Sequence, residues 1–452
     1  MSPQTAGFHA GGFFVFRFYV VLRNPFYDMP VPDGTPCRAG GTGTVRKGMT
    51  KMMKHMKRNT GKWLAVFAAL MLTAGGAASG AGAEGTDPVY SASDLFTSRD
   101  LKQEADLSGA ERYTLSDGQE LRLTAGGIYV LTGNAQNVSV IVEAGAEDKV
   151  QLVLDGLNVT NRDFPVIYGK SCGKLFVTTA SDSSLSVTGS FVSDGDVHPD
   201  GVIFSKSDLT LNGTAALTIS SSDNGIVGKD DLRITGGSYM IQAASKAVEA
   251  NDSIRIAGGT LDLSAGTDGL HAENDEDGTL GYVYIGGGSI AVRAGDDGVH
   301  AVSVLQIDGG SLTVRAAEGM EGTYVQINGG QIDIQASDDG INAGRKSNAY
   351  SPAVVINGGD ITVTVGAGDT DGIDSNGDII VNGGTVRVNG NSTFDCDGNA
   401  RYNGGTIIAN GQQIQSIPNQ MMGRGGGNGG RGGMDGAGGF GGYGGRNGRR
   451  GW

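Results

Sequence analysis

Cysteine is almost missing from this chain, with three residues in 452: Cys37, Cys172 and Cys396. There is no spaced Cys/His quartet and no His-Glu-x-x-His, which excludes a zinc-finger-type site and the common zinc-hydrolase centre. Tryptophan occurs twice, and all aromatics together make up 6% of the residues. Basic residues are outnumbered, 34 Lys and Arg against 48 Asp and Glu, giving a formal net charge of −14. That balance argues against a nucleic-acid partner and suits a protein that loads cations. No transmembrane segment is expected, because the apolar run Trp63 to Thr73 is too short to span a bilayer.

Glycine, by contrast, is abundant at 80 residues, and much of it is periodic. From Asp231 to Gly405 one phrase recurs: a short apolar alternation, Gly-Gly, a second alternation, then Asp-Gly and one more apolar residue. The second glycine of the pair falls at Gly237, Gly259, Gly288, Gly310, Gly330, Gly359, Gly384 and Gly405. A period near 22 residues with three short strands per turn predicts an all-β solenoid, a parallel β-helix. Alternation assigns the inward residues, such as Leu232/Ile234 before the pair, Tyr239/Ile241 after it and Val248 in the third strand. Cys172 and Cys396 fall roughly nine coils apart at about 4.8 Å per coil, so no disulfide joins them and both read as buried apolar residues.

The remaining segments read as follows. Lys51 to Lys62, the apolar run and Ala81-Gly82-Ala83 predict a secretory signal at 49–83, hence a secreted, extracellular or surface-associated protein. Residues 1–48 are either an over-extended start or a genuine extension. Residues 84–117 read as an N-terminal cap over the solenoid end, with Ser91 or Ser93 capping a short helix that carries Leu95, Phe96 and Leu101. The solenoid is expected over 118–417. Residues 418–452 are expected to be a flexible, disordered Gly/Arg-rich tail whose basic character suits contact with an anionic envelope polymer.

A solenoid stacks equivalent residues, and here one stack is acidic. Asp200, Asp268, Asp297, Glu318, Asp339 and Asp371 hold the Asp-Gly position, with Asn224 and Lys246 in intervening coils and Asp296 and Asp338 one residue before two members. Carboxylates one coil apart repel by roughly 3 kcal/mol at an effective dielectric near 20, so something must offset the stack. Hard oxygen donors beside glycine suit calcium, and Asp268, Asp296, Asp297, Glu318, Asp338, Asp339 and Asp371 are the candidate ligands. The competing reading is an Asx-type turn at each corner. Beside the ladder runs a mixed row, Glu249, His271, His300, Glu321, Asn342 and Asp374, in which His271 and His300 are candidate ligand-binding or metal-binding residues.

Arg293 and Arg315 are equivalent on consecutive coils and suited to forking carboxylates, or to pairing with Asp262 or Asp333. Asn328, Asn357, Asn382 and Asn403 read as a structural amide ladder. Insertions at 273–281 and 344–352, the second containing Arg345, are expected to wall a groove about 14 Å long or to be plain surface loops. Tyr284 and Tyr324 are the aromatics expected to be exposed there.

Phe96 to Leu101, Ala125 to Gly133, Val150 to Asn161, Gly201 to Gly213 and Gly225 to Gly237 together resemble the secreted bacterial carbohydrate-binding β-helix proteins, which look like pectate-lyase-type solenoids. The resemblance implies a right-handed single-stranded parallel β-helix, bound calcium, and binding rather than cleavage of plant or acidic polysaccharide. Lys246-Ala247 departs from the Asp-Gly that similar sequences favour. Two alternatives remain open: a calcium-dependent polysaccharide lyase using Arg293, Arg315, Arg345 or Lys346 as base, and a structural or adhesive surface solenoid.

Overall fold

In the computed structural model, residues 87–368 and 370–418 are described; the expected signal, the segment before it and the Gly/Arg-rich tail lie outside them. The described chain is all-β, with 34 strands joined in one long, mostly parallel sheet and a single-turn helix at Ala92–Leu95. From Asp231 to Ala272 each strand pairs in parallel with the third strand ahead. Asp231–Ile234 lies beside Ser253–Ile256, Ser238–Ala243 beside Thr260–Ala265, and Val248–Ala250 beside Leu270–Ala272. Three rows of strands therefore run along one repeating solenoid.

The period-2 pattern dictates this arrangement. Ser238–Ala243 alternates exposed and buried residues, and Leu232, Ile234, Tyr239, Ile241 and Val248 are all within 1% of full burial. In-register pairing stacks Leu232 on Ile254 on Val283 and Ile234 on Ile256 on Ile285, so aliphatic rows fill the interior. Cys172 and Cys396 are buried free thiols. The corner between the first two rows needs glycine twice. Gly330 and its seven equivalents hold positive φ, +98° at Gly330 itself, where an L side chain is strained. A Cβ on the preceding Gly329 would stand 2.7 Å from the Asp308 carbonyl oxygen of the coil before.

The N-terminal segment divides: Glu111–Thr114 lies at the solenoid end, paired in parallel with Gly127–Gln136, with Leu115 in the core. Residues 87–103 instead run along the flank, against the outward row Phe176, Thr210, Arg233, Arg255, Tyr284, Gln306 and Gln326. Gln326 exchanges bonds with the Asp87 carbonyl and Val89 N–H, and Gln306 with both backbone groups of Tyr90. Arg233 and Arg255 donate to the Leu95 carbonyl. Asp100, fully buried, takes Lys174 Nζ at 2.5 Å and Thr210 Oγ1 at 3.0 Å. The physical reason is that this flank carries polar groups that would otherwise be buried or idle, and an extended main chain satisfies them in sequence. The helix start at Ser91 has no side-chain cap, Leu95 and Phe96 are buried, and Leu101 is exposed. At the far end, Gln412–Ile414 folds back antiparallel on Thr406–Ala409.

Candidate functional site

The third row of strands brings the acidic ladder and the mixed row onto one face. Backbone bonds place Lys246, Asp268, Asp297, Glu318, Asp339 and Asp371 at equivalent corners of successive coils: Ala247 N–H donates to the Asp268 carbonyl, Gly269 to Asp297, Gly319 to Asp339 and Gly340 to Asp371. The mixed row is in register as Glu249, His271, His300, Glu321, Asn342, Asp374 and Asp395. Glycine follows each acidic ladder member because a Cβ there would strike the next coil, 2.2 Å from Val314 Cγ1 at Gly298. Asp200 is the member out of step, since Asn224 pairs with Gly201. Asp296 and Asp338 are exposed at the turn.

The ladder carboxylates bond across coils rather than only within their own turns. Asp268 Oδ1 accepts from Asp297 N–H at 3.2 Å, Asp339 Oδ1 from Asp371 N–H at 2.7 Å, and Asn224 Oδ1 from Lys246 N–H at 2.9 Å. The expected turn chemistry thus appears as a stitch along the solenoid axis.

Charge balance differs along the face. His271 and His300 stack at 4.7 Å between ring centroids and are nearly buried, not surface histidines. His271 Nδ1 lies 2.8 Å from Asp268 and its Nε2 3.1 Å from Glu273. His300 Nδ1 lies 2.6 Å from Asp297 and 3.1 Å from Glu321, and Lys346 Nζ is 2.7 Å from the same Glu321 carboxylate. Burial alone would lower the His300 pKa, but the hydrogen bonds to Asp297 and Glu321 outweigh it and lift it to about 9. Burial also pushes Asp268 up, but His271 beside it, the Asp297 N–H and His300 together hold it low. Glu318 is pushed up to about 7 by burial and then by Glu321 and Asp297.

Farther along, Asp371, Asp374 and Asp395 can each place an oxygen within 4.8 Å of the others. Asp371 Oδ1 is buried without a hydrogen-bond partner. Burial, then Asp339, Asp371 and Asp395, pushes Asp374 up to about 7. Asp374 and Asp395 are site residues that the Asp-Gly pattern does not reveal. Asp395 follows Phe394, where the motif has become Ser392-Thr393-Phe394; only register against Asp374 exposes it.

Other candidates fall elsewhere. Arg293 and Arg315 pair in register on the exposed second row, and Arg293 reaches Asp262 at 2.7 Å. Tyr284, expected to be exposed, is 1% exposed beneath the flanking segment, against Phe96 and with its hydroxyl donating to Asp308. Its outward position is correct; the N-terminal segment covers it. Arg345 is exposed at the corner near Tyr324, Pro352 and Asp378. The insertions do not wall an open groove. Ser347 Oγ donates to the Gly278 carbonyl at 2.6 Å, and Thr323 Oγ1 accepts from the N–H groups of Lys346 and Ser347, so the loops meet as a roof. Beside that roof a polar cleft of about 610 Å³ is lined by Lys229, Lys246, Glu249, His271, Glu273 and Asn274, among others. The amide ladder is present, Asn357 to Asn328, Asn382 to Asn357 and Asn403 to Asn382, each at 2.7–2.8 Å.

A family model described as carbohydrate-binding domain-containing protein matches residues 117–323 and 320–413. A protein of Acetivibrio thermocellus with the same description is 35% identical over 130 residues, 28% of this chain and 46% of that protein. The chain therefore spans about half the length of that relative. A solved polysaccharide lyase-like protein from C. thermocellum, a gadolinium derivative, is 31% identical, covers 47% of this chain and 92% of its own, and superposes with a TM-score of 0.44.

Proposed function

The chain belongs to the carbohydrate-binding domain-containing protein family, and from that premise we propose that it is a secreted, non-catalytic protein that binds acidic, pectin-type polysaccharide with help from calcium. The finer architecture we read as a right-handed single-stranded parallel β-helix, supported by the three parallel strand rows. Secretion rests on the sequence signal at 49–83.

The observation that carries the calcium reading is the cluster Asp371, Asp374 and Asp395: three carboxylates, one with an orphaned buried oxygen and one lifted in pKa by burial and then by its acidic neighbours. Its all-oxygen donor set fits calcium. When bound, calcium supplies positive charge between these carboxylates and those of a uronic-acid chain. The set at Asp297, His300 and Glu321 fits it poorly, because a protonated imidazole and Lys346 already balance the charge. Asp371, Asp374 and Asp395 are thus the preferred calcium ligands, with Asp339 beside them.

A lyase reading finds less support. A base must be neutral to take a proton, and Lys346 is held as an ammonium: burial would lower its pKa, but Glu321 raises it further. Arg293 is tied to Asp262. The test mixes the protein with polygalacturonate in calcium and then in chelator, following bound protein and absorbance from unsaturated uronates. Calcium-dependent binding without product is the expected result. Product formation, or binding unchanged by Asp374→Asn, overturns the respective part of the reading.

A further inference from the structure

Two outward columns of the first strand row pass beneath the flanking segment and emerge beyond it. One runs from Val304 through Tyr324 and Ala353 to Asp378, the other from Gln306 through Gln326 and Val355 to Ile380. The described part of the flanking segment begins on Gln326, whose amide bonds Asp87 and Val89. On the next two coils the second column turns from amides, which hold a main chain, to the aliphatic Val355 and Ile380. A cavity of about 340 Å³ opens at this point. That is the small end of the range for ligand sites, about 300–1,000 Å³.

The lining divides by chemistry. Tyr324, Pro352, Val355 and Ile380 contribute carbon surface, and Arg345, Asn376 and Asp378 contribute polar groups. Tyr324 is half-buried and packs on one side against the cluster that holds Tyr282, Tyr284 and Val304. Arg345 and Asn376 are exposed. Asp378 is engaged, accepting from Asn399 N–H at 2.8 Å and pairing with Arg401 at 3.2 Å. One cation and one anion line the cavity, so its chemistry is carbon surface and hydrogen bonding, not net charge.

The cavity also lies around one corner from the acidic cluster. Asn376 follows Asp374 by two residues, and Asn399, bonded to Asp378, follows Asp395 by four. The loop at 344–352 separates the two sides: Lys346 turns to Glu321 at 2.7 Å, while Arg345 lines the cavity.

We propose that this cavity is a subsite for one pyranose ring of the bound polysaccharide, its C–H face against Tyr324 and its hydroxyls bonded by Asn376 and Arg345. This rests on the reading that the chain binds polysaccharide. A pyranose has a carbon face and a rim of hydroxyls; a fixed aromatic ring beside planar amide and guanidinium groups complements both. Recognition of a uronic-acid chain then has two parts. Calcium at Asp371, Asp374 and Asp395 takes carboxylates, and the cavity takes a neighbouring ring whatever its charge.

The experiment is affinity electrophoresis of the full chain against polygalacturonate in calcium and against its fully methyl-esterified form in chelator, at low and high salt. Wild type should bind the ester weakly in chelator and hardly respond to salt, because an uncharged contact is not screened. Tyr324→Ala should weaken binding to both polymers about three- to tenfold, the order of a lost aromatic contact. Asn376→Ala should weaken both about two- to tenfold, the order of a lost hydrogen bond. Asn376 is exposed, so this variant decides the matter where Tyr324→Ala folds poorly. Unchanged binding in both variants overturns the subsite and leaves the proposed function standing. So does a loss confined to calcium, or a wild type that ignores the ester in chelator. Ester binding that appears only once residues before Asp87 are removed makes the chain's own start the occupant, which also overturns it. No binding of either polymer in any condition removes the proposed function and the subsite together.

Discussion

Asp100 is the residue on which the flanking segment should depend most. Its carboxylate is wholly buried and accepts from Lys174 Nζ at 2.5 Å, Thr97 N–H at 2.9 Å, Thr97 Oγ1 at 2.7 Å and Thr210 Oγ1 at 3.0 Å. Burial raises its pKa, but the bonds from Lys174 and Thr97 more than reverse this and bring it from 3.8 down to about 2. A depressed carboxyl stabilises the fold above its unfolded pKa and loses that contribution as pH falls through about 2. The shift corresponds to about 2 kcal/mol, fully present at neutral pH. Removing the charge also leaves Lys174 poorly paired, and breaking a buried pair costs up to about 5 kcal/mol. Asp100→Asn should therefore destabilise the flanking segment by about 2 to 4 kcal/mol, raising its opening constant roughly thirty-fold to a thousand-fold. Arg99 and Lys102 bracket the anchor, so native-state trypsin cleavage there reads the opening directly. Cleavage should accelerate at concentrations of denaturant that leave the coils folded. If Asp100→Asn is cut no faster than wild type, the ionic anchor does not hold the segment, and the attribution to Asp100 is wrong.

Three further outcomes are expected. Gly384→Ala should cost more stability than Gly156→Ala: both glycines have positive φ, +78° and +72°, but only at Gly384 does a Cβ meet neighbouring backbone, at 2.7 Å, so denaturant midpoints should separate the roughly 1–2 kcal/mol of strain from the added clash. His300, with its pKa lifted to about 9, contributes stability that is complete below its unfolded pKa near 6.5 and is lost as pH rises through about 9. Glu321→Gln should lower the His300 titration midpoint in NMR, and an unmoved midpoint would remove Glu321 from the explanation. Arg293→Ala should change stability by less than about 1 kcal/mol, since the pair with Asp262 is exposed on both sides.

Part of the site was legible in the chain because a solenoid converts sequence period into spatial neighbours. Asp268, Asp297, Glu318, Asp339 and Asp371 stack because each precedes a glycine that only a crowded corner requires. Asp374 was legible as a member of the mixed row, but Asp395 was not, because its coil has lost that glycine and only strand register sets it beside Asp374. His271 and His300 could be placed on adjacent coils, but not judged nearly buried, since that depends on the carboxylates folded around them.

The sequence by itself determined the coil: alternation chose inward faces, paired glycines chose the corner, and the repeat aligned equivalent residues. These are local rules, set by backbone geometry within about 22 residues. Only the tertiary structure decided what covers the coil. The flanking segment reaches Gln306 and Gln326 from more than 200 residues away in sequence, and the loop contact between Gly278 and Ser347 spans 69 residues. Such contacts follow from which polar groups the completed solenoid leaves unsatisfied, and no local period records that.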